Sequence, residues 1–159
     1  MQMRRVMIIG GPGAGKTRLA AILAEKLQLP VVSVDDFVWR AGGSLRAAAD
    51  IDADVRAAAA QDRWIIEGGN SRTYADRLSR ADTLVRLSPP RLIRMLRVLR
   101  RGAVSRDLLV WTWRYDPVFG PKDRAAVEQA KAAADICVHE LATGREVAAF
   151  VRKLAGKGR

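Results

Sequence analysis

The length and composition of the chain predict a single folded domain with an excess of positive charge. The 159 residues are 49% hydrophobic and 28% charged, which excludes an intrinsically disordered chain. A chain of this length buries roughly two-thirds of the surface that it exposes when unfolded, so we expect one domain over residues 1–159 with one core. The formal net charge of +11 predicts attraction to polyanions, a class that includes nucleotides, nucleic acid and anionic lipid headgroups.

Membrane-spanning and disulfide-bonded classes are excluded by the sequence pattern. The apolar run 6–9, which follows Arg4 and Arg5, is too short for a signal peptide, and no other stretch approaches the roughly 20 apolar residues of a membrane span. The single cysteine, Cys137, cannot form an internal disulfide, and its apolar neighbours predict a position in the core. We expect a protein of the cytoplasm.

Short apolar runs alternate with segments of helical periodicity in the first part of the chain. The run 6–9 predicts a buried strand, and the apolar spacing over Lys16–Leu27 predicts a helix that ends before Pro30. A second strand is predicted at 31–34, and Ser44 is the candidate N-cap of the next helix. The apolar stripe of that helix is predicted at Leu45, Ala48, Ile51 or Asp52, Val55 and Ala59.

Two further strands and an arginine-rich helix follow. Residues 64–66 and Thr83–Leu87 predict strands, which end at a glycine pair and at Ser88 with two prolines, respectively. The helix that begins near Pro90 is amphipathic, and arginines at its three- and four-residue spacing are typical of a solvated basic face. The leucines on one face are Leu92, Leu96 and Leu99, and the arginines on another are Arg91, Arg94, Arg97 and Arg100 or Arg101.

The last third of the chain predicts a lid, a helix, a strand and a final helix. Residues 102–121 are irregular in pattern and rich in aromatic side chains, and we interpret them as a short helical lid. A helix is predicted at 123–134 and a strand at 136–141, and Thr143 with Glu146 fits a capping box. Five strands that alternate with helices predict an α/β fold of three layers, α/β/α, around a five-stranded parallel sheet.

The most specific motif is a glycine-rich loop between the first predicted strand and the first helix. Glycines let successive N–H groups turn toward an anion, and the following helix directs its positive end the same way. In such P-loops the lysine reaches the β- and γ-phosphates, and the hydroxyl of the last residue binds Mg²⁺. The loop therefore predicts ATP and Mg²⁺ as ligands. Its residues are Gly10, Gly11, Pro12, Gly13, Ala14, Gly15, Lys16 and Thr17.

With this loop, the segments 64–72 and 81–87 resemble the adenylate-kinase-like nucleoside and nucleotide kinases. The chain is most similar to the small proteins called DNA topology modulation protein or FlaR-like, because 34–39 resembles their Leu-Asp-x-Leu-x-Trp segment and 97–101 their Arg-x-Leu-x-Arg element. It departs from their pattern where Glu67 and Ser88 replace aspartates. The resemblance implies a P-loop kinase that transfers the γ-phosphoryl group of ATP to a nucleoside, a nucleotide or another small acceptor.

The candidate site residues lie at the predicted carboxyl ends of the strands, where ligands bind in such sheets. Asp35, with Asp36 as the alternative, is the candidate that orients the acceptor, and Glu67 is expected to bind Mg²⁺ together with the P-loop threonine. By resemblance to adenylate kinases, Arg72 is expected to hold the acceptor. Trp39 either stacks on an acceptor ring or packs in the core.

The predicted lid supplies candidate cations for the transferred phosphoryl group. Arg101, Arg106 and Arg114 are the candidates, and we favour Arg101 and Arg106 as catalytic residues. The tryptophans Trp111 and Trp113 either close over the ligand or pack at a core or interface. The single histidine has no partner at metal-ligand spacing in the sequence, and we interpret it as structural.

The sequence is also compatible with two functions other than a kinase. The net charge and the arginine face are compatible with a nucleic-acid-binding regulator that uses its P-loop as a switch, although no helix-turn-helix, zinc or RNA-binding signature is present. A regulatory NTPase is less favoured because guanine-specificity and switch motifs are missing from the sequence.

Overall fold

Five parallel strands form the centre of the molecule in the computed structural model, which describes residues 3–38, 45–102 and 105–155. The sheet has the order β2-β3-β1-β4-β5, and each neighbouring pair is parallel, as predicted. The strands are β1 (Arg5–Gly10), β2 (Val31–Ser33), β3 (Trp64–Glu67), β4 (Thr83–Leu87) and β5 (Cys137–Leu141).

Helices cover both faces of this sheet. In the described ranges they are α1 (Lys16–Leu27), α2 (Ala48–Ala59), α3 (Tyr74–Leu78), α4 (Arg91–Leu99), α5 (Arg106–Val118), α6 (Gly120–Ala132) and α7 (Gly144–Ala155). Two 3₁₀ turns, Val34–Phe37 and Ser71–Thr73, follow β2 and β3. None of the helices in these ranges is long and apolar enough to cross a membrane.

The apolar interior consists of two clusters, one on each face of the sheet, where the sequence predicted one core. Successive strand residues point to opposite faces, so Met7 and Ile9 of β1 belong to one cluster and Val6 and Ile8 to the other. Helices α2, α3 and α6 cover the first cluster, and α1 and α7 cover the second. Because β1 and β3 are buried on both faces, each contains a continuous apolar run.

Cys137 lies on an edge strand and is exposed, so its predicted core position is wrong. β5 is the last strand in the sheet order and is covered less completely than the central strands. Of its residues only Leu141 is buried. An apolar run therefore predicted this strand, but not its position at the edge.

Local signals placed both ends of α1 and the start of α7, whereas α6 begins at Gly120 and ends at Ala132, not at 123 and 134 as predicted. The capping box of α7 is confirmed, because the N–H of Thr143 donates to Glu146 Oε2 at 2.9 Å and the N–H of Glu146 donates to Thr143 Oγ1 at 3.2 Å. The stripe of α2 is confirmed from Ile51 onward. It is wrong at Leu45, which precedes the helix and is 65% exposed, and at Ala48, which is exposed. The proposed cap Ser44 lies outside the described residues.

The segment interpreted as a lid is helical. α5 begins after Ser105, whose Oγ accepts the N–H of Leu108 at 3.2 Å, and Phe119 joins α5 directly to α6. Trp111 and Trp113 are 43% and 49% exposed, so neither is a core residue.

Helix α4 buries one of its predicted surface arginines and exposes its leucines, contrary to the prediction, although Arg97 and Arg100 are exposed as predicted. Arg94 is 2% exposed, whereas Leu92 is 67% exposed and Leu96 and Leu99 are each 51% exposed. The guanidinium of Arg94 pairs with Asp116 on α5. The predicted basic solvent face is therefore wrong at Arg94, because this face of α4 packs on polar groups of the P-loop and α5, which leucine side chains could not satisfy.

Candidate functional site

The P-loop connects β1 to α1 and presents Lys16 at the first position of that helix. The loop approaches α4 closely at Gly13, which has a φ of 73° and whose absent Cβ would overlap the backbone carbonyl of Arg94. A residue with a side chain would be strained there. The lysine Nζ donates to the carbonyl oxygen of Gly11 at 3.3 Å.

Arg97 of α4 holds the outer part of this loop. Its Nη1 donates to the carbonyl oxygens of Gly13 at 3.3 Å and Ala14 at 3.2 Å. The carbonyls of a P-loop point away from the N–H groups that face a phosphate, so a cation on the carbonyl side fixes the loop without competing for the ligand. The sequence predicted Arg97 as part of a solvated face and missed this role.

Arg94 and Tyr115 support the loop at Gly11. A Cβ atom on Gly11 would overlap the guanidinium of Arg94 and the ring of Tyr115. The guanidinium also lies over that ring, at 5.7 Å from its centroid. The P-loop is thus backed by α4 and by the predicted lid helix α5.

A buried carboxylate lies beside the P-loop threonine. Glu67 is 2% exposed at the end of β3, and its Oε1 accepts the hydroxyl groups of Thr17 and Ser33, each at 3.0 Å. Its Oε2 is buried, and no described residue forms a hydrogen bond to it. Sequence reasoning missed Ser33, although the parallel register of β2 and β3 places it opposite Glu67.

This arrangement fits a magnesium ion. A hydroxyl oxygen and a carboxylate with a free oxygen are ligands that Mg²⁺ accepts, either directly or through water. In the described ranges, no group of three or more His, Cys, Asp or Glu side chains could hold a metal without other ligands. Phosphate oxygens and water would therefore have to complete the coordination of an ion at Thr17 and Glu67.

Lys16 lies in a mixed electrostatic environment. Burial lowers the pKa of its ammonium group, and the carboxylates of Glu67, Asp35 and Asp123 oppose that shift. Arg101 lowers the pKa further. The structure therefore brings the predicted residues Asp35, Glu67 and Arg101 within electrostatic range of the P-loop lysine.

Arg72 forms an ion pair with Asp52. The sequence predicted Asp52 only as an alternative to Ile51 in the apolar stripe of α2. The Nε of Arg72 lies 2.9 Å from Asp52 Oδ2 and its Nη2 lies 3.0 Å from Asp52 Oδ1. Asn70 donates to the same carboxylate at 2.7 Å. Arg72 lowers the pKa of Asp52 by these hydrogen bonds, so the pair is held in its charged form.

Arg77 is a fully buried cation that the sequence did not single out. Its guanidinium donates to the carbonyl oxygens of Gly68 and Asn70, both at 3.2 Å, and to that of Gly69. It also lies over the ring of Tyr74, at 4.9 Å from the centroid. Arg77 therefore sets the conformation of the loop that follows Glu67.

Asp123 of α6 joins three helices through two tyrosines. It accepts the hydroxyl of Tyr74 from α3 at 2.8 Å and that of Tyr115 from α5 at 3.0 Å. Burial raises the pKa of the Asp123 carboxyl, and it also raises the pKa of both phenols. This cluster links the predicted lid helix to the helix that follows the β3 loop.

A cavity of about 630 Å³ lies between the P-loop, α4 and the beginning of α7. Arg101 lines it, whereas Arg106, an exposed residue at the start of α5, does not. The sequence did not single out several other residues of its lining, which come from separate elements. They include Arg18, Val147 and Arg152.

The remaining predicted residues lie away from this cavity or outside the described ranges. Trp39 falls outside the described residues, as does the glycine pair before α2. Arg114 is exposed on α5. His139 of β5 lies against the ring of Phe150, with 4.6 Å between the ring centroids, as a structural residue would.

Solved kinases share this fold over nearly their whole length. Shikimate kinase from Acinetobacter baumannii, in complex with shikimate, has a TM-score of 0.65 at 17% identity over 99% of this chain and 96% of its own. A gluconokinase from Sinorhizobium meliloti 1021 has a TM-score of 0.58 at 17% identity, over 98% and 95%. Shikimate kinase from Bacteroides thetaiotaomicron has a TM-score of 0.60 at 19% identity, over 98% of each chain.

A match to a curated protein covers a short segment of the chain. A curated shikimate kinase of Azobacteroides pseudotrichonymphae genomovar. CFP2 is 53% identical over 36 residues, which are 23% of this chain and 21% of that protein. No protein-family model matches the chain. The chain has the α/β fold of P-loop kinases such as shikimate kinase and gluconokinase.

Proposed function

We propose that this protein is an ATP-dependent kinase that phosphorylates a small acceptor, such as a nucleoside, a nucleotide or a related metabolite. The observation that carries the proposal is the contact of Thr17 with the buried carboxylate of Glu67. A glycine-rich loop alone would bind a phosphate. A buried carboxylate with a free oxygen at the loop threonine adds a place for the metal that phosphoryl transfer needs.

The proposed donor is ATP bound across the P-loop. Its phosphates would lie at the loop N–H groups and at Lys16, and its base would enter the cavity that Arg101 lines. Thr17, with Glu67 through water, would hold Mg²⁺. When bound, the ion supplies positive charge to the β- and γ-phosphates.

The proposed reaction is an in-line transfer of the γ-phosphoryl group. The acceptor oxygen forms a bond to the γ-phosphorus while the bond from that phosphorus to the β–γ bridging oxygen breaks, and ADP leaves. Asp35 orients the acceptor hydroxyl and takes its proton, with Asp36 as the alternative. Lys16 and Arg101 offset the negative charge on the transferred group.

The outer residues of the site are assigned from the sequence prediction. Arg106 would act as a second cation when residues 102–121 close as a lid, and Arg72 and Trp39 would contact the acceptor. The resemblance to FlaR-like proteins supports placing the chain in that group. The single exposed cysteine supports a location in the cytoplasm, where thiols stay reduced.

The test is ATP turnover against a panel of nucleosides and hydroxylated metabolites, together with the affinity for ATP. We expect Lys16→Ala to abolish turnover and Glu67→Gln to weaken Mg²⁺-dependent ATP binding by about 10- to 100-fold. Without Mg²⁺, Glu67→Gln should bind ATP as the natural chain does.

Lys26→Ala is the matched control, because Lys26 is exposed on the same helix, α1, far from its first turn. It should retain full activity. Turnover at the natural rate in Lys16→Ala, or no turnover with any acceptor in the natural chain, would refute the kinase proposal.

A further inference from the structure

The two sides of the P-loop differ in charge. We define the donor side as the cavity of about 630 Å³, and the acceptor side as the elements around the carboxyl ends of β2 and β3. The acceptor side comprises the turn Val34–Phe37, α2, the loop 68–70, the turn Ser71–Thr73 and α3. It lies within residues 34–78.

All the charged side chains that line the donor side in the described ranges are cationic, among mostly apolar residues and glycines. Four arginines line the cavity, and no Asp or Glu is among the described residues that line it. Such a surface suits a polyanion, as the proposed ATP donor requires. The four are Arg18, Arg97, Arg101 and Arg152.

The acceptor side has the opposite balance. Residues 34–78 contain eight acidic and six basic residues, in a chain whose net charge is +11. Three of these arginines are paired with aspartates at 2.6 to 2.9 Å, and Arg77 is buried on backbone carbonyls. The pairs are Arg46 with Asp54, Arg56 with Asp76, and Arg72 with Asp52.

Two acids on this side take no part in such pairs. Asp35 and Asp36 are exposed in the turn after β2, and no hydrogen bond or ion pair joins either side chain to another described residue. Asp35 also acts electrostatically on Lys16, so it lies toward the P-loop. An acceptor that approaches Lys16 therefore meets a carboxylate that has no hydrogen bond or ion pair with another described residue.

We propose that the acceptor is a neutral or cationic compound with a hydroxyl group, and not a carboxylate or a phosphate ester. An anionic acceptor would be repelled by Asp35 and Asp36, and Arg72 would offer it no net charge because Asp52 already neutralises that guanidinium. The Arg72 side chain is 55% exposed and keeps N–H donors for a neutral hydroxyl group. This inference rests on the proposed kinase function and narrows its acceptors by excluding nucleotides.

The first test compares pairs of related acceptors in which one member is anionic and the other is neutral. The pairs are shikimate with its methyl ester, gluconate with glucitol, and nucleoside 5′-monophosphates with their nucleosides. We expect phosphoryl transfer in at least one pair, with kcat/KM at least about 10-fold higher for the neutral member, because like charges repel each other at a binding site.

The second test removes the neutralising carboxylate. Asp52→Asn should lower KM for the anionic member of a pair by about 5- to 10-fold, with little change in kcat or in KM for the neutral member, because Arg72 regains its net charge. The double variant Asp52→Asn with Arg72→Gln should lose this gain. Thermal unfolding of each variant verifies that it is folded.

Glu140→Gln is the matched control, because Glu140 neutralises Lys131 and Arg86 on the edge strand β5, away from the acceptor side. It should leave the preference for neutral acceptors unchanged.

The outcomes of these tests are distinguishable. If turnover occurs and anionic members are used as well as or better than neutral ones, the inference is wrong while the kinase proposal stands. If Asp52→Asn is folded and leaves KM for anionic acceptors unchanged, neutralisation of Arg72 does not cause the preference for neutral acceptors, and that part of the inference is wrong. If no acceptor is used, the kinase proposal fails, and this inference fails with it.

Discussion

The two buried carboxylates near the P-loop differ in how their oxygens are satisfied. Both oxygens of Asp123 accept tyrosine hydroxyls, whereas Glu67 has one oxygen with two hydroxyl donors and one with none among the described residues. A buried oxygen without a donor costs free energy unless a ligand or water satisfies it. This contrast separates a structural carboxylate, Asp123, from a candidate ligand-binding one, Glu67.

The structural carboxylate predicts a pH dependence of stability. Burial raises the pKa of Asp123, so between about pH 4 and that raised value the folded state holds a proton that the unfolded chain has lost. The contribution of this group to the free energy of unfolding therefore falls as pH rises through that window. Asparagine has no such proton, so the stability of Asp123→Asn relative to the natural chain should improve as pH rises.

Urea unfolding of both proteins between about pH 4 and 8 measures this difference. Asp62→Asn, at an exposed position, is the control and should show a constant difference from the natural chain. A stability difference for Asp123→Asn that is constant, or that grows in favour of the natural chain as pH rises, would contradict the assignment.

At the scale of elements, the orientation of α4 determines which of its side chains support the P-loop. Its buried face holds Arg94 and Val98, and Arg97 reaches the P-loop carbonyls. Its exposed face holds Leu92 and Leu96. The arginines of α4 thus donate hydrogen bonds to P-loop carbonyls and pack beneath the loop, and we expect these contacts to stabilise the folded state.

This orientation predicts a reversal of the usual ranking of leucine and arginine substitutions. Arg94→Ala should lower the free energy of unfolding by about 2–4 kcal/mol, because it removes a buried side chain that packs on Tyr115 and pairs with Asp116. Leu96→Ala should change it by less than about 0.5 kcal/mol, since half of that side chain is in solvent. Chemical denaturation of the two variants tests this, and a larger loss from Leu96→Ala would mean that α4 faces the other way.

At the scale of the whole molecule, the excess charge was the main support for a nucleic-acid-binding regulator. The arginine face that the sequence predicted is divided in the structure. Arg94 is buried, Arg97 binds the P-loop, and Arg91 lies 3.5 Å from Asp116 and over the ring of Trp113. The positive charge is therefore used partly inside the molecule and partly around the donor side.

We expect any binding of DNA to be electrostatic and without sequence preference. Affinity measured by fluorescence anisotropy should fall by about 10³-fold or more between roughly 50 and 200 mM salt, because counterion release drives such binding. An unrelated duplex of the same length is the control and should bind equally well. Affinity that persists at the higher salt with preference for one sequence would favour the regulator instead.

Local patterns in the sequence predicted several helices and strands and the position of the P-loop between them. The bounds of α1 and β4 match the predicted ones, and the P-loop lies between β1 and α1 as its motif requires. The capping box at Thr143 is also a local signal. These features depend on residues within a few positions of each other, so backbone propensity and hydrophobic period determine them.

The sequence by itself determined the P-loop, the alternation of strands and helices, and the placing of Asp35 and Glu67 at strand ends. Only the tertiary structure decided which face of α4 is buried, that Ser33 lies opposite Glu67, and that Asp52 neutralises Arg72. A helical period is the same whichever face is buried, and an ion pair depends on where distant segments meet. The polar contacts around the P-loop therefore depend on elements that are far apart in the chain, and local sequence patterns do not predict such contacts.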